Sequence, residues 1–444
     1  MKPLFYLLSL KISGIKNIEV PIELNFYKKT IKNDFNPEKY KIKAIYGENG
    51  SGKTAIITSV KILQNFLIDK NYLTDSNNQK TLVETINKKT QSGFIECEFY
   101  AHFSDEKKIL KYKISFEIGA DNRCHILNEK LEQKKGNYTK NVYNTVFETD
   151  NGILLKFGDS EMFCEAKEKS LNLLGMQTFA TSIFTMKGLK EKYGKNTEFY
   201  YIPVLILFGL SLNVSIDEAD DHKNYILREE IKNIALSEAG EGEEKLFYHL
   251  MDWGHSGQIG ANLILKNKFK EFQKKMSRMC AFVQIFKPEL CDIVIEKKDY
   301  DKFYKYNLQM IYKDYSLDQE FESRGIKKIM ELFEYLDMSA DGQITFIDEL
   351  DANINDVYLD KLIEYFILYG NGQLCFTAHN LSPMSLLKRN KESINFISSI
   401  NTVRTWANNG NQTPACAYRN GFIEDSPFNV DASDFLGILG GDDE

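Results

Sequence analysis

Eight consecutive residues, Gly47-Glu48-Asn49-Gly50-Ser51-Gly52-Lys53-Thr54, satisfy the spacing Gly-x4-Gly-Lys-Ser/Thr at every position. The chemistry of that spacing is the cradling of a triphosphate. Glycines let the backbone curl so that successive N–H groups point inward at phosphate oxygens. A helix starting at the end of the loop adds the positive end of its dipole to the same oxygens. In this arrangement Lys53 meets the β- and γ-phosphates and the Thr54 hydroxyl ligates Mg²⁺, so the expected ligands are ATP and Mg²⁺. The flanks suit the task. Tyr40–Tyr46 reads as an apolar-alternating strand, and Ala55-Ile56-Ile57-Thr58-Ser59-Val60-Lys61-Ile62-Leu63 reads as a helix.

A second set of reactive residues lies far along the chain, in Gln343-Ile344-Thr345-Phe346-Ile347-Asp348-Glu349. An apolar run that ends in two acids reads as a buried parallel strand with carboxylates at its C-terminal end. There Asp348 is expected to hold Mg²⁺, directly or through water. Glu349 is expected to act as general base on the water that attacks the γ-phosphate. A third strand, Gln373–Thr377, leads to Ala378-His379, and an imidazole in that position suits a γ-phosphate sensor. Between the acids and the histidine stands Leu350-Asp351-Ala352-Asn353-Ile354-Asn355. Asp351 has two readings: a link to a facing subunit, or part of a plain turn in which Asn353 or Asn355 caps the next helix.

These groups must be positioned by a fold that 444 residues can build as two or three packed units, or as one core with an insertion. Hydrophobic residues at 43% and charged residues at 27% match a globular chain and exclude general disorder. The formal charge of −7 argues against a surface that is basic throughout, while leaving room for a local basic groove. Seven single cysteines, with no Cys-x-x-Cys and no Cys/His cluster, speak against a zinc site and against a closed disulfide framework. A reducing cytoplasm is the expected setting. The opening Met1–Leu8 passes into an alternating strand rather than a cleavage site, and the run Ile202–Leu210 is too short for a bilayer, so no membrane is expected.

The expected organisation has four parts. Residues 1–190 form a strand-rich lobe carrying the glycine-rich loop, with antiparallel strands at 94–100 and 109–117. Turns are expected at Gly119–Asn122 and Asn151-Gly152, and a polar surface loop over Asn25–Lys39. Residues 191–320 read as a helical insertion with periodicity at Tyr225–Ala235 and Leu263–Met276. Its lysines 266, 268, 270, 274 and 275 are read either as a solvated face or as a partner or nucleic-acid contact. Residues 321–395 form a second lobe of alternating helices and strands, and residues 396–444 a glycine-containing tail. No heptads and no solenoid repeat are present.

Together these residues resemble the ABC-type ATPases of the SMC/Rad50 and OLD-like group, and within it the AAA15-type ATPases of bacterial anti-phage systems. Leu10-Lys11-Ile12-Ser13-Gly14-Ile15-Lys16-Asn17-Ile18 resembles the first strand of that group. Asp348-Glu349-Leu350-Asp351 resembles its fused Walker B and D-loop, and Thr377-Ala378-His379 its switch histidine. Phe321-Glu322-Ser323-Arg324-Gly325-Ile326-Lys327-Lys328 stands where the group carries its signature motif, with Glu322 and Arg324 flanking the serine in place of the commoner Leu-Ser-Gly-Gly form. The resemblance covers residues 1–65 and 321–380 and treats 191–320 as variable. Ala417-Tyr418-Arg419-Asn420-Gly421-Phe422 is similar to the tail of defence-associated members, the ATPase subunit of PARIS-type systems among them.

The resemblance implies an α/β fold: an ABC-type P-loop NTPase head with mixed sheets and a helical insertion. It implies that Ser323 and Gly325 touch the γ-phosphate held by an opposite subunit, in a head-to-head homo-oligomer closed by ATP. It offers Gln91 as a candidate for the Q-loop glutamine. It also implies a sensor and scaffold that controls a separate effector such as a nuclease, since the chain shows no nuclease constellation of its own. Two alternatives accompany this reading: a DNA-repair or recombination ATPase of the same group, and a non-hydrolytic nucleotide-dependent adaptor. A transporter ATPase finds no membrane-coupling segment to support it.

Overall fold

A computed structural model of the chain describes residues 4–27, 35–38, 40–103, 106–136, 142–216, 263–299, 303–352, 354–390, 392–407 and 412–423. Among the described residues, the strands form three sheets. The first is antiparallel and runs in the order β2-β1-β4-β5-β6-β7-β8. Its strands are β1 (Leu4–Ser13), β2 (Ile22–Asn25), β4 (Ser92–Phe103), β5 (Glu106–Ile118), β6 (Cys124–Lys135), β7 (Asn144–Asp150) and β8 (Ile153–Phe157). The expected turns hold: Asn122, Asn151 and Gly152 take positive φ, and Asn151-Gly152 joins β7 to β8 as a two-residue hairpin.

The second sheet is the one that matters for the site. It runs β17-β16-β3-β15-β14-β9. Its members are β3 (Ile42–Gly47), β9 (Leu212–Ser215), β14 (Ile344–Ile347), β15 (Gln373–Thr377), β16 (Ile394–Ile397) and β17 (Val403–Thr405). All pairings are parallel except that of β17 with β16. A parallel sheet is buried on both faces. Ile45 and Cys375 face one apolar cluster, and Ala44, Tyr46, Leu374 and Phe376 face another.

Helix α1 (Lys53–Ile68) and helix α6 (Thr197–Ser211) fill the layer between the two large sheets. Isoleucine, valine and threonine lower the intrinsic helix propensity of α1. Fourteen of its residues are buried, and this burial overrides propensity. The buried Gln64 amide donates to the Leu212 carbonyl and ties α1 to β9. The remaining helices are α2 (Ser76–Thr85), α3 (Ser160–Ser170), α4 (Phe179–Phe184), α5 (Lys187–Tyr193), α7 (Phe269–Phe286), α8 (Arg324–Ala340), α9 (Asp356–Tyr369), α10 (Pro383–Leu387) and α11 (Pro414–Arg419). Leu359, Ile363 and Phe366 of α9, Met384 and Leu387 of α10 and Ala417 of α11 cover the outer face of the parallel sheet. The fold is therefore a mixed α/β arrangement of several sheets and helices, as the element pattern implied. No helix among the described residues is long and apolar enough to cross a membrane.

Two expected segment limits differ from the structure. The stretch 191–320 was expected to be a helical insertion. It contributes α6 and β9 to the main core, and then a small antiparallel sheet, β10-β12-β11, with β13 on β12. These strands are β10 (Leu263–Leu265), β11 (Leu290–Asp299), β12 (Phe303–Tyr312) and β13 (Ser316–Asp318), and α7 packs on them through Phe272, Met276 and Val283. Leu263–Leu265 satisfies a helical spacing yet pairs as a strand, because Ile264 is buried opposite Tyr304. Tyr225–Ala235 lies outside the described residues. The limit drawn at 395/396 falls inside β16, whose Asn395 and Ile397 pair with Ile45 and Gly47.

The lysines of this region are largely occupied within the chain. Lys275 is buried against Glu334 at 2.6 Å, Lys266 meets Asp299 at 2.5 Å and Lys268 meets Glu271 at 3.3 Å. Lys275, being buried, belongs to no solvated face.

One buried carboxylate is unconnected with the site. Glu129 on β6 accepts from the Tyr112 hydroxyl at 3.0 Å and from the Phe179 and Ala180 N–H groups at the start of α4. Burial pushes its carboxyl up to about 7, against the lowering effect of those donors. The folded chain thus keeps a proton that the unfolded chain releases between about pH 4.5 and 7. Glu129 costs stability progressively as pH rises through that window, and the loss levels off above it. Glu129→Gln is expected to gain stability relative to the natural chain over the same rise in pH. Urea midpoints measured across the window check this, and a constant difference between the two proteins would contradict it.

Candidate active site

Parallel register brings the C-terminal ends of β3, β15 and β14 to one edge of the sheet. The loop Gly47–Thr54 leaves β3 at that edge and enters α1. Gly50 and Gly52 take φ of +80° and +111°, the left-handed region that glycine adopts without strain. Gly47 is needed for a different reason. A Cβ there would stand 2.4 Å from the Ile397 carbonyl oxygen and 2.5 Å from Ser51 Oγ. The Asn17 side-chain amide donates to the Gly50 carbonyl, so the first strand's turn steadies the loop.

The loop has the properties of an anion cradle. Gly52 is the N-cap of α1 and supplies no side-chain hydrogen bond, whereas α2, α3, α6, α8 and α9 are all capped by a side chain. The first-turn N–H groups of α1 are left for an external acceptor. Ser51 Oγ is buried and meets no partner. Lys53 is 7% exposed and its ammonium donates to the carbonyls of Gly47 at 2.7 Å and Glu48 at 3.1 Å. Burial lowers the Lys53 pKa, while the carboxylates of Asp348, Glu349 and Asp351 act to raise it. Parallel pairing of β3 and β14 with β15 sets loop and acidic strand on one sheet edge although they lie far apart in sequence. Residues of this kind fit a Mg²⁺–triphosphate: backbone donors, one cation, the Thr54 hydroxyl and the Asp348 carboxylate.

The acidic turn is tightly held. Asp348 N–H extends the sheet by donating to the Ser215 carbonyl at 2.9 Å. Its carboxylate Oδ1 accepts from Thr377 Oγ1 at 2.6 Å, and Glu349 N–H donates to the same hydroxyl at 2.7 Å. Glu349 has a φ of +50°, and its exposed carboxylate lies 3.9 Å from His379 Nε2. Asp351 Oδ2 accepts from the N–H groups of His379 at 2.8 Å and Asn380 at 2.6 Å. Within the chain Asp351 therefore joins the acidic turn to the loop carrying His379. Asn355 caps α9 by accepting from Val357 N–H at 3.1 Å, as the plain-turn reading expected. Asn353 lies outside the described residues.

Ser323 and Gly325 lie at the start of α8. Ser323 caps α8, accepting from Ile326 N–H at 3.4 Å. Nothing lies within 4 Å of where a Gly325 Cβ would stand, and Ser323 is exposed. Glu322 is buried: it accepts from the Tyr312 hydroxyl and, at 3.0 Å, from Ser323 N–H. It fixes the cap from beneath, which gives the unusual residue before the serine a physical role. Gln91 sits exposed where the chain enters β4, with its own backbone bonded to Asn87 and Ile118.

Sequence reasoning singled out the acids and the histidine but assigned no role to Thr377 or to Asn17. A threonine ending an apolar strand carries no signal until its neighbours across the sheet are known. Fold and site define a mixed α/β protein in which a glycine-rich strand–loop–helix and an acidic pair meet at the carboxyl edge of a parallel sheet. No protein-family model matches the chain, and no curated protein matches it.

Proposed function

We propose that the chain is an ATPase with an ABC-type head, in which ATP and Mg²⁺ are held by Gly47–Thr54 and Asp348. The observation that carries the reading is the parallel register that sets the end of β3, with its glycine-rich loop, and the end of β14, with Asp348, on one sheet edge on either side of β15. Lys53 neutralises the β- and γ-phosphates, Asp348 and Thr54 hold the metal, and Glu349 takes a proton from the attacking water. His379, 3.9 Å from Glu349, reads the presence of the γ-phosphate. The outward-facing Ser323 and the open space at Gly325 suit closure over the γ-phosphate of a second copy, giving an ATP-dependent head-to-head pair. On this reading the ATPase is the regulatory and scaffold subunit of an anti-phage complex whose effector, such as a nuclease, is a separate cytoplasmic chain.

Phosphate release from ATP by the purified protein tests the enzymatic part, with Mg²⁺ and with the metal chelated. Turnover that requires Mg²⁺ supports it; neither turnover nor ATP binding would overturn it. Affinity purification from the native host, with and without ATP, followed by mass spectrometry and a nucleic-acid stain, tests the partner. Recovery of DNA without an effector chain would favour a repair ATPase instead.

A further inference from the structure

The hydroxyl of Thr377 touches both acids assigned to chemistry, although it lies on neither their strand nor the glycine-rich loop. Because Glu349 N–H can only donate, Thr377 Oγ1 accepts from it at 2.7 Å. The single hydroxyl proton is then committed to Asp348 Oδ1 at 2.6 Å. The same residue also accepts through its backbone carbonyl from Leu350 N–H at 3.1 Å. Thr377 thus brackets Glu349 on both sides, and Glu349 is the residue held at φ +50°. A non-glycine residue in that region is strained and persists where surrounding bonds over-determine it. Thr377 is fully buried.

We infer that Thr377 is a positioning residue that locks the metal carboxylate and the general base into one fixed geometry; this rests on the ATPase reading. With Oδ1 of Asp348 accepting from the hydroxyl, the carboxylate is held in one orientation, and Asp348 would hold Mg²⁺ from there. With its backbone pinned, Glu349 holds its carboxylate out toward the edge where His379 stands. The strand between the loop strand and the acidic strand therefore contributes to turnover through a residue that touches no substrate.

Thr377→Val removes the hydroxyl and keeps the β-branched shape; Thr377→Ser keeps the hydroxyl and removes the methyl. The valine variant is expected to bind a fluorescent ATP analogue about as well as the natural chain. Its turnover is expected to fall by roughly 10²-fold, the scale of a misplacement of about 1 Å. The Mg²⁺ concentration for half-maximal turnover is expected to rise, and the serine variant to retain most of the natural rate. Natural turnover and Mg²⁺ dependence in Thr377→Val would overturn the proposal while leaving the ATPase reading intact. Equal impairment of Thr377→Ser would overturn it too, since methyl packing would then be what matters. Should Thr377→Val fail to fold, Thr377→Ala takes its place beside the serine variant, and natural turnover and Mg²⁺ dependence in Thr377→Ala would overturn the proposal. A natural chain that neither binds nor hydrolyses ATP would remove the ATPase reading, and this proposal with it.

Discussion

Glu349→Gln is expected to bind ATP and Mg²⁺ with near-natural affinity while phosphate release falls by roughly 10²–10⁴-fold, the range for removing a general base. The substitution is isosteric and leaves the backbone bonds of Glu349 and Leu350 to Thr377 in place. Asp348 keeps its own carboxylate and its bond to Thr377, so the proposed metal-holding residue is untouched. Lys53, the uncapped start of α1 and the loop glycines still face the triphosphate. Binding and chemistry separate, and ATP persists. If ATP joins two heads through Ser323 and Gly325, the variant accumulates as a closed pair, because the step that removes the shared γ-phosphate is blocked. Light scattering in saturating ATP reads this directly as a doubling of mass over the nucleotide-free protein. A variant that stays monomeric would contradict closure between two copies. A variant that still releases phosphate at the natural rate would deprive Glu349 of its role as base.

Lys53→Ala is expected to lose nucleotide rather than turnover alone. Lys53 is nearly buried, and its charge is the one that Asp348, Glu349 and Asp351 act upon. Without it, three carboxylates would face a polyanionic ligand with no fixed cation between them. Removing one member of a buried, hydrogen-bonded charge pair costs about 2–5 kcal/mol in binding. That is at least about thirtyfold in affinity at 1.4 kcal/mol per tenfold. The carbonyls of Gly47 and Glu48 also lose the ammonium they accept from, which loosens the loop before any ligand arrives. Titration calorimetry with ATP and Mg²⁺ measures the loss. Undiminished affinity would show that the nucleotide binds elsewhere.

Some of this arrangement was legible before any coordinates. The glycine-rich loop was readable because its chemistry is local: eight adjacent residues, a strand before them and a helix after. The acids at the end of an apolar run were readable for the same reason, as were the alternating strands and their Asn-Gly turn. Asp351 was half readable. Its spacing allowed both a facing subunit and a plain turn, and only the bonds to His379 and Asn380 show what its carboxylate does within the chain. The expected helical insertion over 191–320 holds for Phe269–Phe286 but misses the strands beside it, because charge-rich strands such as β11 alternate too weakly to announce a sheet when one face is wet.

By itself the amino-acid order determined the short-range chemistry: which residues can cradle phosphate, which can hold a metal, and which strand ends carry acids. Such properties depend on neighbours a few bonds away, where spacing dictates geometry. Only the tertiary structure decided that β15 lies between β3 and β14, that β9 and β16 join the same sheet, and that the Thr377 hydroxyl bonds Asp348 and Glu349. Those outcomes are set by strand order and register between segments far apart in the chain. Strand pairing is specified by which faces become buried together, a property of the assembled core rather than of any one segment.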